Sequence, residues 1–150
     1  MHKILLIPTS VPPLIGIYKD NKLISSHVLE SKLSDSLVSF FCDLKKKRIA
    51  FDELFYVNGP GSYMALKLTY IFAQTLHISN NVKLHATNGF YFNNNTPIKA
   101  YGDCYFAYEN GQIKLIKSNE NICSNYALPS VLDESIFGGD LEPLYILPAV

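Results

Sequence analysis

The run from Leu54 to Leu76, LFYVNGPGSYMALKLTYIFAQTL, sets the pattern for the whole chain. Leu54-Phe55-Tyr56-Val57 is a short block of bulky apolar residues of the kind that fills a buried strand. Asn58-Gly59-Pro60-Gly61 then turns the backbone. Glycine admits angles closed to other residues, and proline fixes one φ. Ser62 is an N-cap residue type, able to offer its hydroxyl to an unpaired amide of the first helical turn. The spacing predicts a helix from Ser62 to His77. Its residues Tyr63, Met64, Ala65, Leu66, Leu68, Tyr70, Ile71, Phe72, Ala73 and Leu76 leave only Lys67 and Gln74 as a polar edge. A helix apolar nearly all round calls for burial nearly all round. The chain's own sheet can cover one side, and the other side calls for another protein.

Working outward, Lys3 to Ile7 reads as a buried strand stopped by Pro8. Leu14 to Tyr18 and Lys22 to Leu29 read as a hairpin closed by Asp20-Asn21. Ser31 to Arg48 is a second helix, with Leu33, Leu37, Phe40, Phe41 and Leu44 at helical spacing and Val38 and Cys42 widening the stripe. Beyond the central run, Asn80-Asn81 lead into a strand from Val82 to Ala86. Three strands joined without helices, then helix and strand alternating, predict a mixed α/β sheet whose helix-linked strands are parallel. After Ala86 the texture loosens. Short strands are expected at Ile98 to Tyr101, Tyr105 to Glu109 and Gln112 to Lys117, the last two joined by Asn110-Gly111, and a final strand at Leu144 to Leu147.

The chain has 150 residues, 48% of them hydrophobic and 17% charged, with a formal net charge of zero. That composition suits one globular core and sets up no global field toward nucleic acid or an anionic membrane. Lys45-Lys46-Lys47-Arg48 stands where a helix ends, and cations there complement the helix dipole. The opening MHKILLIPTS is too short an apolar run for a signal peptide, and no run approaches the ~20 residues of a membrane span. Cys42, Cys104 and Cys123 are odd in number and far apart, which suggests a reducing compartment. A cytoplasmic protein without membrane contact is expected.

Motifs that would carry chemistry are sparse. Gly59-Pro60-Gly61-Ser62 opens a helix and could cradle an anion, but it lacks the spacing and the Lys-Ser/Thr pair of a P-loop, and a structural turn explains it as well. Gly138-Gly139 could approach a nucleotide or could form the loop before the last strand. His2, His27, His77 and His85 are scattered without metal-ligand spacing, and His77 and His85 read as capping or packing residues. Asp103 reads as a turn residue. No catalytic residue and no cofactor of its own is expected.

Three stretches resemble the TsaB (YeaZ) family, the smaller actin-like subunit of the bacterial system that makes N6-threonylcarbamoyladenosine (t6A) in tRNA. Ile7-Pro8-Thr9-Ser10 is similar to the family's opening Ile-Asp-Thr-Ser motif. Gly59-Pro60-Gly61-Ser62-Tyr63-Met64-Ala65-Leu66-Lys67 is similar to its Gly-Pro-Gly-Ser-Phe-Thr-Gly-Leu-Arg signature. Pro143-Leu144-Tyr145-Ile146-Leu147-Pro148 resembles its terminal strand. The departures fall on chemistry: Pro8 replaces the acid of the first motif, and Met64-Ala65 replaces Thr-Gly.

The resemblance implies an actin-like, ribonuclease H-like lobe over residues 1–90, with a mixed five-stranded sheet and helices. A reduced second lobe over 91–150 would follow, shortened internally between Ala86 and Gly138. It also implies a scaffold role: pairing of helices 31–48 and 62–77 with a TsaD-type catalytic subunit, in support of threonylcarbamoyl transfer to tRNA adenosine. A TsaE-type ATPase would join the complex, with ATP and a metal held in the partner subunits and tRNA met only through the complex. The residues expected at the partner interface are Leu37, Phe40, Phe41, Leu44, Tyr63, Met64, Leu68 and Phe72, with Gly59, Pro60, Gly61 and Ser62 as the structural turn. The alternatives are an actin-like ATPase or small-molecule kinase built around Thr9-Ser10 and the glycines, and a self-associating module that buries the same helices as a homodimer.

Overall fold

Strands apolar at every position need cover on both faces, and two such strands form the centre of this protein. A computed structural model describes residues 1–144. Five strands form one sheet: β1 (His2–Ile7), β2 (Leu14–Lys19), β3 (Lys22–Val28), β4 (Phe51–Val57) and β5 (Lys83–Thr87). Their order is β3-β2-β1-β4-β5. β1, β2 and β3 run antiparallel as a meander, and β1, β4 and β5 are parallel, joined through helices α1 (Leu33–Lys46) and α2 (Tyr63–Asn80). This is the mixed α/β sheet that the sequence predicts. Asp20 and Asn21 adopt left-handed φ values of 52° and 60°, the geometry of the tight hairpin turn.

Side chains alternate across each strand. Ile4, Leu6, Leu54 and Tyr56 point to one face and join Leu37, Leu44 and Ala73 of the two helices in the larger core. Leu5, Ile7, Phe55 and Val57 point to the other face and form a second core with Tyr18, Phe92 and Leu132. Each fully buried side chain of this size contributes about 1.5–3 kcal/mol.

The helix ends shift by a few residues from the expected bounds. α1 starts at Leu33 and stops at Lys46, inside the predicted 31–48. α2 continues past His77 to Asn80 and ends on Asn81, whose φ of 56° suits a left-handed cap. Ser62 stands at the N-cap, but its hydroxyl makes no capping bond. Its carbonyl accepts the Leu66 amide at 3.0 Å instead.

A second sheet follows, with antiparallel order β6-β7-β8 from β6 (Ile98–Tyr101), β7 (Cys104–Glu109) and β8 (Gln112–Lys117). Asn110 and Gly111, with φ of 51° and 75°, close the expected hairpin. Phe90, Ile98 and Phe106 form its own small core. Residues 118–144 then return to the first sheet as a largely irregular strap. The Ala127 amide donates to the Phe92 carbonyl at 2.9 Å, the Leu23 amide to the Ser130 carbonyl at 2.9 Å and the Leu132 amide to the Asn21 carbonyl at 2.8 Å. Tyr126, Leu128, Ile136 and Phe137 lay apolar surface over the second core. Of the expected final strand, only Leu144 lies within the described residues. The Tyr145 to Pro148 part of the terminal motif lies outside them.

A polar cluster pins the strap at the amino-terminal end of β1. Lys3 Nζ lies 2.8 Å from Glu134 and 3.4 Å from Glu53, His85 Nε2 lies 2.9 Å from Glu53, and Asn21 Nδ2 donates to Glu134 at 2.8 Å. The Lys3 hydrogen bond, aided by Asn21, holds the Glu134 carboxyl below its ordinary range. A lowered folded-state pKa stabilises fully above the unfolded value, about 4.3. That stability is lost as pH falls through the folded value. Both ends are partly solvated, so screening limits the contribution. Glu134→Gln is expected to lower stability by about 0.5 kcal/mol at pH 7. The gap from the parent should close as the pH falls below about 4.3. Urea midpoints measured across pH 3–7 check this, and a gap independent of pH would rule out the ion pair as its source.

Candidate functional site

The two sites that the sequence offers, the glycine turn and the helical face, are resolved differently by the geometry. At the turn, Gly59 has a φ of 128°, and a Cβ there would lie 3.1 Å from both Leu66 Cδ1 and Leu144 Cβ. A Cβ on Gly61 would lie 2.6 Å from Thr9 Cγ2. Both glycines therefore serve close approach: Gly61 to the residues after β1, Gly59 to its own helix and to the tail. The Gly59–Pro60 peptide is cis, and Asn58, Gly59 and Pro60 are buried.

The tail closes over this turn. Asn58 Nδ2 donates to the carbonyls of Asp140 and Glu142, each at 3.2 Å, the Tyr56 hydroxyl donates to the Leu141 carbonyl, and the Leu144 amide donates to the Asn58 carbonyl at 2.8 Å. Gly138 bridges to Ala86, and nothing lies within 4 Å of where a Cβ on Gly138 or Gly139 would sit, so these two form a loop with no close approach. In open α/β sheets, ligands occupy the crevice outside the carboxyl ends of the parallel strands. Here that place beside β4 and β5 holds the chain's own residues 138–144.

The histidines serve packing and local hydrogen bonds. His77 Nδ1 sits 2.9 Å from the Val82 carbonyl beyond the end of α2, and His85 stacks on Phe55 at 4.4 Å between centroids. His27 meets the edge of Phe40 at 5.2 Å. Among the described residues, no group of three or more His, Cys, Asp or Glu is placed to hold a metal. No described helix is long and apolar enough to cross a membrane.

The helical face is open. α1 and α2 meet through Phe41 and Phe72, whose ring centroids lie 5.0 Å apart. Beside that contact runs a groove of about 460 Å³ lined chiefly by Val38, Phe41, Cys42, Lys45, Phe72 and Leu76. Val38, Phe41, Cys42 and Lys45 recur at spacings of three and four, so they share one face of α1. On α2, Met64, Ile71 and Ile78 are spaced by seven and are 58%, 51% and 81% exposed. The chain itself covers one side of α2, where Leu66, Thr69 and Ala73 are buried.

The predicted interface residues separate accordingly. Phe41 and Phe72 line the groove, Leu68 is half-buried, and Tyr63 and Met64 are exposed. Leu37 is corrected: at 1% exposure it fills the chain's own core, because the sheet takes the most apolar stripe of α1; Leu44, at 4%, belongs to that core and also forms part of the groove wall. Phe40 faces the β3 side, in a smaller hollow of about 140 Å³ with Ile17, Ile24 and His27. Val38, Cys42, Leu76 and Ile71 were outside the predicted set. Their signal was helical phase, which the turn of each helix onto the sheet decides.

No family model matches the chain, and no curated protein matches it in sequence. Its fold does match solved structures. YeaZ from Pseudomonas aeruginosa superposes with a TM-score of 0.59 at 15% identity, over 85% of this chain and 70% of that one. A second structure, an uncharacterized protein with similarity to peptidase YEAZ from Pseudomonas aeruginosa, gives 0.59 at 14% identity, over 85% and 69%. At such identity the likeness is one of fold: a mixed five-stranded sheet with helices, in the arrangement these structures share.

The close approach at Gly61 generates a specific expectation. Gly61→Ala should destabilise the protein by about 1–3 kcal/mol through overpacking against Thr9. Thr9→Ser removes the methyl group in the way, so the same alanine should cost less in that background. A double-mutant cycle in urea measures the coupling, and purely additive effects would assign the glycine to backbone freedom alone.

Proposed function

We propose that this chain is a TsaB-like scaffold subunit that docks through α1 and α2 on a TsaD-type catalytic subunit and supports threonylcarbamoyl transfer to adenosine in tRNA. The observation that carries this reading is the open apolar groove between the helices; α2 also leaves Met64, Ile71 and Ile78 exposed. Exposed contiguous apolar surface marks an interaction site. The fold likeness to YeaZ structures and the Gly59–Lys67 signature say which interaction to test.

On this reading the five-stranded sheet and its helices are an actin-like, ribonuclease H-like lobe, and residues 91–150 are what remains of a second. The chain performs no chemistry itself. ATP and a metal belong to the partner subunits, a TsaE-type ATPase joins the complex, and tRNA is met only through it, in the cytoplasm. The ATPase or kinase alternative is disfavoured by the tail that occupies the crest over Asn58 and Gly59.

Cys42 supplies a test within the groove. It and Cys123 are exposed, whereas Cys104 is buried. A stable complex with the TsaD-type subunit of the same cell is expected to slow alkylation of Cys42 and leave Cys123 on the strap unchanged. Val38→Asp and Ile71→Asp, at positions more than half exposed, should abolish the complex and tRNA modification while leaving the free chain folded. Normal binding and modification by both variants, with Cys42 unprotected, would refute the docking. Protection of Cys42 by the isolated chain at high concentration alone would favour self-association.

A further inference from the structure

The outer edges of the two sheets are guarded unequally. An unpaired strand edge is a template for another strand, and proteins blunt it with lysine, proline or cover. β6 carries Lys99, and β8 carries Lys114 and Lys117. β5 carries Lys83 and meets Gly138 of the strap. The outer edge of β3 is covered at its turn end, where the Leu23 amide donates to the Ser130 carbonyl and Lys22 bridges to Val131. From Ile24 to Val28 it has no lysine, no proline and no backbone partner other than β2 among the described residues. The register leaves this stretch ready to pair. Ile24 is the extra residue of a bulge, after which Ser25 to Val28 oppose Ile17 to Leu14 in regular order. The Leu29 amide donates inward, to the Pro13 carbonyl at 2.9 Å. Inward and outward backbone groups alternate along an antiparallel strand, so Ser26 and Val28 turn theirs outward. Ile24 and Val28, 56% and 50% exposed, flank the exposed Ser26.

We infer that β3 pairs antiparallel with β3 of a second copy of this chain, about a two-fold axis at Ser26, so that the two sheets become one. A two-fold interface has to suit itself, because each residue meets the same strand in reverse order. With Ser26 opposite its own copy, the outward amide and carbonyl of each Ser26 exchange two hydrogen bonds. Ile24 then lies across from Val28 of the second copy, an apolar cross-strand pair formed twice. Lys22 and Glu30 stand equally far from Ser26 on its two sides, so each end of the pairing brings opposite charges together. Both are exposed, and neither has an ion-pair partner among the described residues. The same operation on β8 would gather the lysines of both copies. β3 lies at the far edge of the sheet from β4 and β5, beside which Phe51 and Val82 line the groove. The pairing therefore leaves Cys42 and the groove open, and it does not rest on the docking reading above. An interface this small makes a weak, reversible dimer.

Sedimentation of the full chain should show a dimer that dissociates on dilution, and hydrogen exchange at the Ser26 and Val28 amides should slow as concentration rises. Ser26→Pro removes the outward amide and leaves the bonds to β2 in place. It should weaken the dimer by about tenfold or more, through the loss of two hydrogen bonds. Ser26→Lys sets two lysines face to face and should do the same; it carries the test if the melting temperature shows that the proline disturbs the fold. Lys22→Glu alone should weaken the dimer, and adding Glu30→Lys should restore it. Alkylation of Cys42 should not change on dimerization. A parent chain that stays monomeric at its highest soluble concentration overturns the inference. So does a dimer that both Ser26 variants leave intact, or one that protects Cys42 and the amides of α1 and α2 in place of those of β3. A dimer broken by the Ser26 variants but indifferent to the charge exchange overturns the register centred on Ser26.

Discussion

β1 and β4 lie side by side at the centre of the sheet, and from Ile4 to Ile7 and Leu54 to Val57 every side chain is at most 1% exposed. Burial on both faces is the constraint that shapes the rest of the chain. A sheet polar on one side would need only two helices. This one needs a second cover, and the chain supplies it with residues 118–144, which carry apolar side chains across the far face with little regular structure of their own. The strap has to satisfy its backbone polar groups individually. It does so by bonding to Asn21, Leu23, Phe92 and Asn58, and by letting Tyr18 donate to the Pro129 carbonyl.

Covering the far face with the chain's tail has a consequence at the top of the sheet. The strap must leave over the carboxyl ends of β4 and β5, and there its carbonyls take the Asn58 amide and the Tyr56 hydroxyl. The glycine turn is thereby enclosed from both sides, by Thr9 and by Leu144. A feature that resembles an anion cradle in isolation becomes a packing joint in context.

What was legible in the sequence follows the strength of local signals. The strands of the first sheet, both helices and both hairpins could be read, because apolar periodicity and turn chemistry act over a few residues. The strap could not, since Tyr126, Leu128, Leu132, Ile136 and Phe137 follow neither helical nor strand period. The candidate interface was half legible. Phe41 and Phe72 were assigned to it, and they do line the groove. Apolarity alone also assigns Leu37 to it, although the most apolar stripe of an amphipathic helix is the one its own sheet takes. Choosing between Leu37 and Val38 requires the rotation of α1 about its axis, which only the packing of Phe40, Phe41 and Phe51 against neighbouring elements decides.

The same reasoning explains how α2 can be apolar around most of its circumference while the chain itself buries only one side of it. Leu66, Thr69 and Ala73 are buried, and the partly buried Phe72 and Leu76 also pack against the larger core. Residues such as Met64, Ile71 and Ile78 add nothing to the buried core of the isolated chain, and polar residues at those positions would leave the core as it is. Spaced by seven, these three share one face of α2, and their apolar surface stays in water. Exposed apolar surface of this kind is the material from which the water-excluding centre of a binding face is made.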